Sequence, residues 1–581
     1  MSIDYQERLI DHHFAAFIKR VSGGAEDDLF SIVVSLASNA VGKGNICLNL
    51  SDIAAQNIVF DGKIVKLPEI EELKKLLMLS SAVGAPGQFR PLVLDTDGRL
   101  YLYRYWRYEQ NFAGILLQKA GADAGVINEN LLCEGLERFF PHLADEEHDC
   151  RKDAAKVALR TQFCVISGGP GTGKTSTVVR ILALLLEQQG GMKMRIALAA
   201  PTGKAAARLK ASVNNIRQSL DCSDEVRKAI PDQVVTIHRL LGPISGSDRF
   251  RYSVMNPLPY DVVIVDEASM VALPLMNSLM GALSPNVRLI LLGDKDQLAS
   301  VEAGAVLGDI CLAGEEYPAS SVARSVVMLE KNFRFKVGSH ISAISREVNA
   351  GRGREALNLL RDFYSVGIAW RNVANRETLR KLLKERVLDG YGSYFEASSP
   401  GEALERFDRF SVLCAIREGL FGVNGINREI ESILGAANLI TKTGLWYPCR
   451  PIMITANDYT LNLFNGDIGI IFPDPDNEHE LRAFFPSPDG GVRSISTIRL
   501  PQHETAFAMT VHKSQGSEFS HVLILLPPVD FDILTRELIY TGITRAKDSV
   551  EIWGDEEVFC AAVKRKTVRN SGLIKALLQQ M

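Results

Sequence analysis

Residues 168–176 read Gly168-Gly169-Pro170-Gly171-Thr172-Gly173-Lys174-Thr175-Ser176, directly after the apolar run Phe163–Ser167. A strand, a glycine-rich turn and a Lys-Thr pair opening a helix form a cradle for phosphate. Backbone N–H groups curl around the oxygens and the helix points its positive end at them. In that frame Lys174 neutralises the β- and γ-phosphates and the Thr175 hydroxyl ligates Mg²⁺, so ATP and Mg²⁺ are the expected ligands. The chemistry also needs a carboxylate on a neighbouring strand. VVIVDEAS supplies Asp266 for the metal's hydration shell and Glu267 to orient and deprotonate the attacking water. LLGDKDQL ends the next apolar run with Gln297 placed to sense the γ-phosphate.

Two arginines fit the role of fingers that stabilise transferring phosphate: Arg334 in NFRF and Arg545 in YTGITRA. Pro201-Thr202-Gly203-Lys204 ends a strand and opens a helix, a second anion site. A nuclease would need an Asp-bearing strand followed by E-x-K; Glu72-Leu73-Lys74 has that form but lies in a helical run, so cleavage is not expected from this chain. The formal net charge of −4 leaves any basic nucleic-acid groove to be local. The nine cysteines are scattered with no C-x-x-C, which excludes a zinc or iron–sulfur centre of that spacing and suits reduced thiols. The start, MSIDYQERLIDHH, lacks the apolar stretch of a signal peptide, and no apolar run is long enough to span a membrane; a cytoplasmic location is expected.

The elements that must position these residues follow from hydrophobic pattern. FCVISG, RIALAAP, DVVIVDE and VRLILLGD are near-continuous apolar strands alternating with helices, the mark of a parallel sheet covered on both faces. A second series, Val326–Leu329, SVLCAI, VLILL and VEIW, predicts a second α/β core. Between its strands, short segments joined by Asn-Gly, Pro-Asp and Asp-Gly-Gly turns predict a small inserted β-barrel. Residues 1–125 carry amphipathic helices such as Ile70–Leu79, and Thr96–Trp106 reads as a turn leading into a strand; no phosphate motif occurs there.

In this order the segments resemble motifs I to VI of superfamily 1 DNA helicases, within them the RecD family. ISGGPGTGKT, AAPTGKAAARL, VDEASM, LGDKDQLASVEAGAVLGDIC, REGLFGVNGINREIE, LFNGDIGI and AMTVHKSQGSEF carry the likeness. The resemblance implies two RecA-like P-loop parallel-sheet domains, an SH3-like barrel inserted in the second, and a separate N-terminal helical/mixed domain. The implied division is 1–125 for partner docking, 126–325 for the first motor domain, 326–445 and 504–581 for the second, and 446–503 for the barrel. It implies nucleotide contacts at Phe333 (stacking on adenine), Gln515, Gly516 and Glu518. Contacts to single-stranded DNA would come from Pro201, Thr202, Lys204, Thr236, His238, Thr510, His512 and Ser514. Arg151 stands where many relatives use a Gln to read adenine. GSDRFRYSVMNPLPY matches either a duplex-splitting pin or an ordinary surface hairpin. The implied activity is 5′→3′ translocation and unwinding, with RecB-like and RecC-like subunits as partners in a heterotrimer acting on duplex ends, in double-strand-break repair and degradation of linear DNA. The alternative is an ATP-switched assembly subunit that unwinds little itself; the full set Lys174, Thr175, Asp266, Glu267, Gln297, Arg334 and Arg545 favours the motor.

Overall fold

The computed structural model describes the chain except for residues 1, 4–7, 25–26, 61, 142–147, 332–339, 363–366, 374, 443, 459, 488–490 and 580–581. The first parallel sheet runs in the order Val234–Thr236, Ile196–Ala200, Val262–Val265, Arg288–Gly293, Phe163–Gly168 and Val326–Leu329. Its inner strands are mostly apolar because both of their faces are covered. Val165, Ala199, Val263 and Leu291 pack into one hydrophobic cluster, while their neighbours Ile166, Leu198, Ile264 and Leu292 pack into another. The phosphate loop and the Asp266-Glu267 pair leave the same end of this sheet because their strands are parallel.

Val326–Leu329 was expected to open the second core. It instead forms the edge of the first sheet, pairing Val326 with Val165 and Leu329 with Gly168. Four apolar residues specify a strand but not its sheet, and here a long-range pairing decides. The second parallel sheet has the order Ile368–Asn372, Ala546–Gly554, Phe519–Leu525, Phe410–Cys414 and Ala508–Thr510. Interrupting it, an antiparallel sheet of Val492–Ser496, Leu481–Pro486, Ile468–Pro473, Arg450–Ile454 and His503–Thr505 stands where the small barrel was expected. It has its own apolar cluster around Ile452, Ile471 and Phe485.

At the N-terminus, the helices Leu9–Val21 and Asp28–Gly42, the helix Ile70–Leu79 and short strands share a separate core that includes Phe30, Ile58, Leu73 and Leu100. The expected boundary at 125 moves. Arg99–Leu102 is a strand, but the next residues open the helix Tyr103–Ala120, whose Phe112 and Leu116 are buried in the core of the first parallel sheet. The C-terminal helix Leu573–Gln579, assigned by sequence to the second core, also returns to the first, burying Leu573 and Leu577 there. Both helices have ordinary amphipathic patterns, which tell which face is buried but not against what.

Candidate nucleotide cleft between the two sheets

The chain leaves its strand at Gly168, where a side chain would meet the Leu329 carbonyl at 2.7 Å. Gly171 and Gly173 both take φ of +83°, a left-handed conformation that glycine adopts without penalty. The helix Lys174–Glu187 follows at once. Thr172 Oγ1 donates to the Gly169 carbonyl at 2.8 Å, tightening the loop. Lys174 Nζ donates to the carbonyls of Gly168 at 2.5 Å and Gly169 at 3.0 Å. Burial lowers the pKa of this ammonium, opposed by the carboxylates of Asp294, Glu267 and Asp266.

Burial, then the neighbouring Glu267, pushes the Asp266 carboxyl up to about 6, against the backbone N–H of Glu267, which donates to Asp266 Oδ1 at 2.9 Å. Such a group gains from a cation. Its carboxylate and the Thr175 hydroxyl are the hard oxygen donors Mg²⁺ favours. Glu267 sits at φ +52°, a conformation uncommon for a residue with a side chain and found where surrounding structure enforces it. Asp294 is buried, which raises its pKa, and its Oδ2 accepts from Gln297 Nε2 at 3.0 Å and Tyr540 Oη at 2.9 Å.

Arg545 comes from the second core. It is 2% exposed, and its guanidinium donates to the carbonyls of Thr541 at 3.3 Å and Ser517 at 3.2 Å. Burial lowers its pKa, while Glu267 and Glu518 oppose that. Arg545 and Glu518 line one cavity of about 240 Å³ together with Gly171, Lys174, Thr175, Ser176, Asp266, Glu267 and Gln297. The cleft thus joins, from two cores, groups that the sequence separates widely. It also contains Arg208, which sequence reasoning passed over; its guanidinium pairs with Glu518 and lies 3.9 Å from Glu267 Oε1.

Some expectations change. Gln515, expected at the nucleotide, is buried and donates its amide to the Leu298 carbonyl at 2.7 Å, so its side chain links the two cores. Gly516, at φ +74°, packs against Ala205, 3.4 Å from where a side chain would begin. Ser514, expected on DNA, is fully buried, and its hydroxyl donates to the Val511 carbonyl at 2.7 Å; it shapes a turn. Ser176 pairs with Arg180 beside the loop. Phe333 and Arg334 lie outside the described residues.

Of the residues expected on DNA, Pro201 and Thr202 end the strand Ile196–Ala200, and Thr202 Oγ1 caps the helix Gly203–Gln218 by accepting from Ala205 N at 3.2 Å. Thr236 caps Ile237–Leu241 in the same way, accepting from Arg239 N at 3.2 Å. His238 packs on Phe250 at 5.9 Å between ring centres, and burial lowers its pKa. Thr510 Oγ1 accepts from Lys513 N at 3.2 Å, and burial also lowers the pKa of His512. Lys204 is turned into the junction, 5.6 Å from the centre of the Phe519 ring and facing Asp408 and Asp467. Arg151 is held by both oxygens of Asp149, at 2.9 and 2.7 Å. In 243–259, isolated bridges join Pro243 to Phe250 and Ser253 to Asn256; Phe250 and Tyr252 pack on the first core, and Val254 and Met255 are exposed.

A phosphate loop on one parallel sheet, facing a buried arginine from another, defines a P-loop nucleotide site shared by two cores. Residues 7–101 match the family model described as RecBCD enzyme subunit RecD, N-terminal domain, 151–303 match an AAA domain, and 505–552 match a UvrD-like helicase C-terminal domain. RecBCD enzyme subunit RecD of Mycolicibacterium smegmatis is 39% identical over 562 residues, covering 95% of this chain and 94% of that one. RecD of Haemophilus influenzae is 36% identical, covering 83% and 80%. The ATP-dependent RecD2 DNA helicase of Deinococcus radiodurans is 30% identical over 83% of this chain and 59% of its own length. A solved Bacteroides Pif1 helicase, in complex with ADP-AlF3 and ssDNA, aligns with a TM-score of 0.37 at 16% identity over 72% of this chain and 93% of its own. The chain belongs to the RecD family. Among the described residues no helix is long and apolar enough to cross a membrane.

Proposed function

We propose that this chain is an ATP-driven single-stranded-DNA translocase and 5′→3′ helicase, the motor subunit of a RecBCD-like helicase–nuclease that acts in double-strand-break repair and degrades linear DNA. The observation that carries the reading is the shared cleft: Lys174, Asp266 and Glu267 on one core face Arg545 on the other. Lys174 holds the β- and γ-phosphates, Gln297 senses the γ-phosphate, and Glu267 takes the proton of the attacking water. Arg545 meets charge that develops on the transferring phosphate. Mg²⁺, held through Thr175 and Asp266, supplies further neutralisation of the phosphates. Loss of the γ-phosphate removes the charge that draws Arg545 toward the loop, so the cores part once per turnover.

DNA lies, in this reading, along Pro201, Thr202, Thr236, His238, Thr510 and His512, gripped by helix N-termini and small hydroxyls that do not read sequence. The inserted sheet is read as an SH3-like module whose loop 464–467 backs the start of the helix Gly203–Gln218; Phe464 lies 3.1 Å from where a side chain at Gly203 would begin. The N-terminal domain docks the motor onto a RecC-like partner beside a RecB-like nuclease, in the cytoplasm. Unwinding of partial duplexes tests polarity: a 5′ single-stranded tail should be required, and a 3′-tail requirement would overturn it.

A further inference from the structure

Arg208 has no role in the reading above, yet it lines the cleft beside Glu267 and Glu518. It lies on the helix Gly203–Gln218, whose Ala205, Arg208, Leu209, Ser212 and Ile216 face the cavity at helical spacing. Of these five, Arg208 is the charged one. Its Nη2 pairs with Glu518 on the second core, while Nη1 lies 3.9 Å from Glu267 Oε1 on the first. The side chains of Glu518 and Glu267 are 10% and 17% exposed, so both carboxylates are sheltered from water and the cation between them matters to each.

The two distances differ in kind. A guanidinium can serve two carboxylates through separate amino groups. Here one contact is a close ion pair, and the other is beyond hydrogen-bond range. The Glu267 oxygens therefore feel the charge without being occupied by it and stay available to accept a proton from water. The close partner is on the second core. If the cores part, Glu518 withdraws and the nearest carboxylate left to Arg208 is Glu267.

We propose that Arg208 is a positioning residue that arms and disarms Glu267. With the cleft closed, Glu518 draws the guanidinium off the base. With the cleft open, Arg208 closes on Glu267 and occupies the oxygens that would take the proton. The device makes hydrolysis conditional on the two cores being together, and it rests on the reading of Glu267 as the general base.

The test is steady-state ATP turnover of the full chain with saturating single-stranded DNA, comparing Glu518→Gln, Arg208→Ala and the double variant, with Glu267→Gln alongside. Glu518→Gln frees Arg208 to capture the base, so kcat should fall about tenfold with KM for ATP within about threefold. Adding Arg208→Ala to Glu518→Gln should raise kcat again, a suppression that loss of a merely structural contact would not give. A double variant no faster than Glu518→Gln would overturn the proposal. So would an effect of Glu518→Gln confined to KM, which would mark Glu518 as a nucleotide contact indifferent to Arg208. Arg208→Gln serves the same comparison if Arg208→Ala aggregates. If Glu267→Gln turns over at the parental rate, the base assignment itself falls; if it is slow but suppression is absent, only the role of Arg208 falls.

Discussion

The side-chain amide of Gln515 donates to the carbonyl of Leu298 at 2.7 Å, and the N–H of Leu298 donates in turn to Thr541 Oγ1 at 2.9 Å. Leu298, which follows the first-sheet strand Arg288–Gly293 but buries its side chain in the second core, is thus bonded to that core through both its backbone groups as well. Leu298 follows Gln297 directly, so a shift between the cores is felt at the residue read as the γ-phosphate sensor.

Breaking that link should uncouple the cleft. Thr541→Val leaves the buried Leu298 N–H without its acceptor, at about 1–3 kcal/mol. The melting temperature should drop and DNA-stimulated turnover should fall several-fold, with ATP affinity changed less. Unchanged stimulation by DNA would show that the Leu298 contacts carry no coupling.

The hydrolytic assignments separate binding from chemistry. Lys174→Gln should abolish turnover by removing the main cation on the phosphates. Glu267→Gln should still bind nucleotide, measured by equilibrium titration, while turnover falls by about 10²–10⁴. Arg545→Ala should slow turnover by about 10³ or more with little change in affinity, because a finger acts on transition-state charge. Equal losses in affinity and turnover would make Arg545 a ground-state contact.

Asp266 gives the rate an acid limb. Burial and the neighbouring Glu267 raise its carboxyl above the usual carboxylate range, and it must be ionised to hold a cation, so turnover should fall as the pH becomes acidic. Raising Mg²⁺ should move the limb to lower pH, since the cation favours the ionised form. A limb that ignores Mg²⁺ would assign the titration to another group.

Glu109 controls stability rather than rate. It is buried, accepting from Tyr101 Oη at 3.2 Å and from Gly572 N at 2.8 Å, and burial pushes its carboxyl from 4.5 up to about 7. The folded chain therefore holds this proton more tightly than the unfolded chain. Stability is lost as pH rises from about 4.5 to about 7, by at most about 3 kcal/mol. Glu109→Gln removes the charge while its Oε1 accepts from Gly572 N and its Nε2 donates to Tyr101 Oη, reversing that one bond. It should melt above the parent at pH 8, with the gap closing toward pH 4.5; a gap independent of pH would contradict the assignment.

Truncation tests where the N-terminal domain ends. Removing residues 1–101 should leave a soluble, DNA-stimulated ATPase that no longer assembles with partner subunits. Both cuts take Ile46, Cys47, Val93 and Tyr101 from the edge of the first core, but removing 1–125 also strips the core-facing helix with Phe112 and Leu116 and should yield insoluble protein. Equal solubility of the two would place the boundary back at 125.

The phosphate loop, the Asp266-Glu267 pair and the alternation of strands and helices were legible because each is local: a few adjacent residues dictate a turn, a strand end or a covered sheet. What sequence concealed was pairing over distance. Val326–Leu329 has the pattern of a strand in either sheet, and the helix Tyr103–Ala120 has an apolar face that could meet several surfaces. Arg208 lies beyond the helix start at Thr202 to Lys204, the part of that segment with a local anion-site pattern. Nothing local marks it as a cleft residue, because its partner Glu518 is 310 residues away in the chain. Gln515 and Ser514 lie in a segment whose likeness to a motif was read as ligand contact, where the fold spends their side chains on backbone carbonyls.

The most direct measurement is ATP turnover of the purified chain with and without unstructured single-stranded DNA. A motor whose cleft is completed from two cores, with DNA lying across both, should hydrolyse ATP about tenfold or more faster when DNA is bound, and Arg545→Ala should remove the response. Turnover that is the same with and without DNA would contradict the account and leave the ATP site as a switch for assembly.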